Sequence, residues 1–271
     1  MSRSAPSPRA PAPNERRSRT VGRGWAGLDA LRRTVWLSAA LLVMALSPRC
    51  WTPAARALLQ GRLVRDTLPV LPGFSALAAL LTLIITRIVI VTASSYGLSQ
   101  YGLEMVIRVL VLELLPLVAA LFVALRSTIP SASALARSQL PPAGLLAQAW
   151  PRMVSGLFAA LTLAALTGVV ATVLAYLAVY GPTSAGLPAF TRVFGRVFDA
   201  SMSLILLLKT LAFGLAVAVI PMASAVQDRV RPSARLRRAH ASREALALQG
   251  LVRLFAVLLL LEALSLVGNY Y

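Results

Sequence analysis

Four ionisable residues interrupt long apolar runs of the sequence: Arg87, Glu113, Lys209 and Glu262. Each belongs to a different run. Counted at about 1.5 Å per residue from the centre of its run, each lies within roughly 8 Å of the middle. Two are acids and two are bases, so they can neutralise one another. In a hydrocarbon setting pairing is the cheapest way to hold them, because an unpaired charge at mid-depth costs several kcal/mol. Such a group suits two kinds of work. It can form a polar lining that meets a ligand's charged head or governs a gate, or it can form an ion-pair network that locks helices together. The residues alone leave both open. Glu104 and Arg108 are four apart and suit a helix-face pair. Arg253 lies near enough to the end of its run to snorkel.

Other chemistry is thinly supplied. His240 is the only histidine and sits in a basic segment, so a Ser-His-Asp or His–metal arrangement lacks partners. The nine acidic residues are scattered, with no pair spaced to hold Mg²⁺. Lys209 is the only lysine, and Leu208 precedes it, which excludes a GxxxxGK[ST] phosphate loop. Nucleotide energy, if used, must come from another chain. There is no nucleophile elbow. Cys50 is the only cysteine, which excludes an intrachain disulfide; it reads as a small buried hydrophobe. The expectation is no metal, no cofactor and no catalytic site.

The elements that must position the four charges are membrane helices. The chain is 58% hydrophobic and only 13% charged, against about 25% charged in soluble domains. Its net charge of +18 raises nucleic acid as a partner. The arginines, however, cluster between apolar blocks, as the positive-inside rule expects of cytoplasmic loops, so no nucleic acid is expected. Five blocks are long enough to span: about Val70–Ser94, Leu103–Leu125, Met153–Tyr180, Ser201–Val226 and Leu248–Gly268. The uncharged loop Ser95–Gly102 reads as external, and Arg126–Arg152 as cytoplasmic. By parity Tyr180–Ala200, with Arg192, Arg196 and Asp199, reads as an external loop. Asp228–Glu244 carries six arginines and is the clearest internal loop. The N-terminus is then cytoplasmic and the Asn269-Tyr270-Tyr271 end external, its aromatic pair suited to the headgroup belt.

Three domains follow. Residues 1–24, rich in Ser, Pro, Ala and Arg, read as a disordered basic cytoplasmic tail that suits anionic headgroups. Residues 25–69 read as interfacial amphipathic helices, since Trp36–Ser47 is too short to cross and is flanked by arginines on both sides. Residues 70–271 form the five-helix bundle. The fold class is an all-α integral membrane protein. Small residues stud the third block (Gly156, Ala159, Ala160, Ala164, Ala165, Gly168) and allow close helix approach.

The second block is unlike a plain anchor. It carries Glu113 near its middle and Pro116 three residues later, and a proline there frees a carbonyl and usually kinks the helix. Its run LELLPLVAALFVALR, Leu112 to Arg126, resembles the E-L-G-P-x-x-x-A-L-x-x-x-G-R segment of MlaE-like permeases, the Mla/Mce-type lipid ABC transporters. Lys209-Thr210 opening an apolar helix, a basic loop, and Glu262 where the family tends to have aspartate resemble the family's end. Pro151-Arg152 matches its Pro-Arg. The resemblance covers about residues 54–270. Leu115 and Leu125 replace family glycines. The connection Ser127–Trp150 has no acid, contains Pro130, Pro141 and Pro142, and is shorter than the family's.

The resemblance implies a lipid-transport permease of the bacterial inner membrane. It implies a homodimer, a cytoplasmic ABC ATPase docked on the connection that includes Arg126, Arg137 and Arg152, and a periplasmic MCE-domain lipid-binding protein. The cargo is a phospholipid or another bulky lipid, in a cavity of the first, second and fifth spans, with Arg87, Glu113, Lys209 and Glu262 along its path. The altered connection leaves an alternative: a structural or assembly subunit that keeps the fold without the ATPase coupling.

Overall fold

The structure is a computed structural model that describes residues 35–48, 51–230 and 243–270, together with residue 32. The N-terminal tail, Cys50, His240, most of the arginine-rich loop and Tyr271 lie outside the described residues. Helices account for every regular element among the described residues except a 3-10 turn at Ser184–Gly186 and the π-helical stretches below. Two helices come first: α1 (Val35–Leu46) and α2 (Pro53–Thr67). The first span is α3 (Leu71–Ser95). The second is a relay of α4 (Ser99–Val106), a π-helical stretch Ile107–Leu114, α5 (Leu115–Val123), a second π-helical stretch Ala124–Thr128, and α6 (Ile129–Arg137). Then come α7 (Pro142–Tyr180), α8 (Leu187–Val197), α9 (Ala200–Val230) and α10 (Arg243–Tyr270). Five helical stretches are long and apolar enough to cross a membrane.

The two π-helical stretches have a visible cause. Each ends two residues before a proline, Pro116 in α5 and Pro130 in α6. A proline ring collides with the carbonyl four residues upstream and brings no N–H to it. Widening the preceding turn to i→i+5 bonding moves those carbonyls aside without ending the helix. The expected kink at Pro116 is therefore taken up by a wider turn that also carries Glu113. The spans outrun their apolar blocks for a related reason. The segment 126–152, read as a loop, is helical through Arg137 and again from Pro142, broken only at residues 138–141. A proline in a helix's first turn costs nothing, because that N–H group has no partner anyway; Pro142 holds such a place.

Tyr180–Ala200, also read as a loop, contains α8. Phe190, Val193, Phe194 and Val197 recur at helical spacing and face the bundle, with Val197 fully buried. Asp199 then caps α9, its Oδ1 accepting the Met202 N–H at 2.7 Å.

The core has two parts. One runs through α3, the second span, α7 and α9, and takes in Phe74, Ile107, Leu110, Leu163 and Phe213. The other lies at the end where α6 breaks into α7, and joins Leu135, Trp150, Met153 and Met222. α1 is anchored there by the fully buried Leu41. Trp51 packs 5.6 Å from Trp150 and donates its indole N–H to Ala45 O at 2.9 Å. α2 is tied to α7 by Ser155, whose hydroxyl donates to Asp66 Oδ2 at 2.9 Å.

α7 and α9 meet through small residues. A Cβ on Gly156 would sit 2.6 Å from Thr128 Cγ2, and one on Gly214 would sit 2.8 Å from Leu157 Cδ1. The two obstacles differ. Thr128 is β-branched and its hydroxyl is bonded to Ala124 O, whereas Leu157 Cδ1 is the far end of a flexible chain. Gly156→Ala is therefore expected to destabilise by about 1–3 kcal/mol, the usual range for overpacking. Gly214→Ala should cost clearly less. Thermal unfolding of the two variants in detergent checks the order, and equal melting points would refute it.

Candidate functional site

Three of the four charges singled out above converge. Lys209, on α9, has a side chain only 3% exposed. Its ammonium donates to Glu113 Oε2 from the first π-helical stretch. On the other side it lies 2.9 Å from Glu262 Oε2 of α10. The carboxylate side chains are 12% and 15% exposed. The Phe213 ring, one turn along α9, lies 5.7 Å from the same ammonium and turns its negative face to it.

The geometry follows from local structure. Lys209 is nine residues into α9, and Glu262 is eight residues before the end of α10. α9 and α10 run antiparallel, so both sit about 12–14 Å in from the same end of the bundle. That end carries α8 and the 95–98 turn. Glu113 reaches the same level from the second span, which runs alongside α9 in the same sense. The wide turn before Pro116 sets its direction.

The cluster opens to one side. Leu112, Glu113, Met202, Ile205, Leu206, Lys209 and Ser265 line a small recess. Ser265 lies three residues beyond Glu262, and its hydroxyl is buried with no hydrogen-bond partner among the described residues. The recess therefore has apolar walls, one spare hydroxyl, and a cation flanked by two carboxyl groups. Such an arrangement has room for a water-sized polar group between apolar walls, beside the buried charges. Ser265 and Phe213 escape sequence reading, since a serine or phenylalanine in an apolar helix carries no special signal.

Arg87 does not join the cluster. The buried stripe of α3 is Phe74, Ala78, Thr82 and Thr86, at four-residue spacing. Position 87 is about 100° further round the helix from Thr86. Arg87 is thus exposed, on a face shared with Leu80, Leu83, Ile84, Ile88 and Val91. The pairing expected of all four charges is corrected on this point: among the described residues, Arg87 forms no ion pair. Glu104 and Arg108 do meet along their helix face, at 3.2 Å.

The three arginines of the connection also separate. Arg126 and Arg137 are exposed. Arg152 is half-buried against α2, in the field of Asp66 and Arg62, and its Nη2 donates to Gln148 Oε1 at 3.2 Å. That hydrogen bond stays within α7, and the charge on Arg62 of α2 opposes the Arg152 charge more than Asp66 favours it. Among the described residues no group of three or more His, Cys, Asp or Glu is placed to hold a metal.

The family model Permease MlaE matches residues 63–141 and 145–266. The chain belongs to the MlaE permease family. No curated protein matches it. The match covers all three members of the charge cluster and takes in most of each of the five spans of this MlaE permease. It runs through most of the segment between the second and third spans and omits only residues 142–144, where α7 begins. With five apolar spans and this family, the chain is a multi-pass membrane permease, a transport component rather than an enzyme.

The cluster has one cation to two carboxyl groups, so its stability should depend on the set more than on any pair. Removing one partner of a buried ion pair costs about 3–5 kcal/mol, whereas replacing the whole set by uncharged groups is often neutral. Lys209→Met alone should therefore sharply lower the folded yield. The triple variant Glu113→Gln, Lys209→Met, Glu262→Gln should recover most of it. Fluorescence-detected gel filtration compares them, and a triple variant worse than Lys209→Met would contradict the assignment.

Proposed function

We propose that this permease is the membrane subunit of an ABC-type lipid transporter that moves phospholipid between the inner and outer membranes. The observation that carries the reading is the Lys209 ammonium held between Glu113 and Glu262 beside an apolar-walled recess. A lipid tail needs only apolar walls, while a headgroup needs a few polar groups held at fixed depth. Fixed charges held inside a bilayer, away from water, are expensive, and in membrane spans they mark substrate paths and gates. The exposed Arg87 adds a second polar station on α3, at the mouth of a cavity formed with a second copy of the chain.

In this reading the N-terminus is cytoplasmic, so the α8 end faces the periplasm and an MCE-domain lipid-binding protein. The opposite end, with α1, α2 and the α6–α7 break, faces the ATPase. Arg126 and Arg137 are exposed there, as are Arg56 and Arg65 of α2, and are available to a carboxylate of the docked subunit. Arg152, half-buried beside α2, is less open to a partner. The acid-free, proline-bearing segment 127–150 favours a second reading, a structural subunit that no longer engages an ATPase. Affinity capture of the tagged permease separates the two: a stoichiometric ATPase supports transport, and its absence supports the structural role.

Transport by the complex in proteoliposomes tests the site. Glu113→Gln and Arg87→Leu should each slow phospholipid transfer by about tenfold or more, the loss expected when a charged hydrogen bond of about 1.5–3 kcal/mol is removed. Wild-type transfer by both variants at normal expression would defeat the proposed lining.

A further inference from the structure

α8 stands apart from the cluster and has chemistry of its own. Its inward face is an aromatic ladder. Phe190 and Phe194 stack at 5.9 Å, and Phe194 and Phe198 at 4.3 Å. Tyr176 of α7 meets the edge of Phe190 at 5.2 Å and lies 5.6 Å from Tyr180. This face packs on the second span and shares its core. The outward face carries Arg192 and Arg196, one turn apart and both exposed. Arg192 Nε donates to Pro188 O at 3.1 Å, which fixes the side chain along the helix. Neither arginine has a carboxylate within ion-pair distance among the described residues. The nearest acid in the chain, Asp199, is turned to the α9 backbone.

The surroundings indicate what covers these cations. The same end of the bundle exposes Tyr96, Leu98, Tyr101 and Leu187. Tyrosines at that level are the mark of a headgroup belt. A short helix with an aromatic inner face and arginines outside lies in that layer, its charges among the phosphates.

We propose that α8 is an anionic-lipid-binding helix, with Arg192 and Arg196 holding the phosphate groups of anionic phospholipids in the adjacent leaflet. Two residues separate α8 from α9, whose Met202, Ile205 and Leu206 line the recess. The bound headgroups are thus held next to its mouth. The inference concerns resident lipid at a surface helix and does not require that the recess carry cargo.

The test uses the full-length chain in nanodiscs of phosphatidylcholine, with or without phosphatidylglycerol. Gly195 is on the exposed face with open space around its Cα, so a nitroxide on Gly195→Cys, in a Cys50→Ser background, reports depth. It should lie at phosphate level. In detergent, the chain should retain phosphatidylglycerol over phosphatidylcholine, as counted by mass spectrometry. Arg192→Gln with Arg196→Gln should weaken that preference about tenfold or more at low salt, and the double lysine variant should keep most of it. Melting in phosphatidylcholine alone confirms that the variants fold. A label in bulk water, or a preference unchanged in the double glutamine variant, overturns the proposal. So does a label shielded only when an acidic soluble protein is added, which would make α8 a protein-docking face.

Discussion

A charge inside hydrocarbon is costly unless another answers it, and at Lys209 this chain answers it twice. One ammonium draws a carboxyl group from the second span and another from α10 onto α9. The three helices that supply the cluster come from widely separated parts of the sequence. Their mutual register is fixed wherever the charges meet, since a shift of one residue on any helix would swing its ionised group about 100° round toward lipid or core. Apolar packing has no such specificity: leucines facing lipid and leucines facing a neighbouring helix differ little in free energy. Close contact comes from Gly156 of α7 against Thr128 of the second span and from Gly214 of α9 against Leu157 of α7, and depth and rotation come from the charges.

The second span serves this constraint in an unusual way. Its two prolines are accommodated by π-helical stretches, and the first of them carries Glu113. A wide turn is a local departure from the best backbone geometry, and such turns recur at functional sites. Here it lets one helix keep its length, pass a proline, and aim a carboxylate at a neighbour. The recess beside the cluster sits against that same turn. Polar function and backbone irregularity thus meet at this turn.

Much of this was legible in the sequence, for reasons that can be named. Five apolar blocks of spanning length report membrane helices directly, and the Leu112–Arg126 run pointed to the family that the chain proves to belong to. Ionisable residues in such blocks stand out, so Glu113, Lys209 and Glu262 were visible as a set. What sequence could not supply was facing. Arg87 has the same depth and residue type as a member of the cluster, yet the Phe74–Ala78–Thr82–Thr86 stripe turns it outward. That stripe mixes phenylalanine, alanine and threonine within a helix apolar on every side, so composition hides it. Hydropathy also understates helix length. α6, the start of α7 and α8 are polar or proline-bearing enough to read as loops, although the spacing of Phe190, Phe194 and Val197 was a helical signal. The tie between Asp66 and Ser155 joins residues far apart in the chain and leaves no local trace.

The most direct measurement uses the fact that Lys209 is the only lysine. A small membrane-permeant amine reagent can label only this side chain and the chain's amino terminus, and peptide mapping separates the two. A buried ammonium clasped by two carboxylates should stay unmodified in the folded protein and react once the chain is unfolded. Glu113→Gln with Glu262→Gln should expose it to modification in the folded state. Native Lys209 that reacts as readily as the unfolded chain would contradict the account.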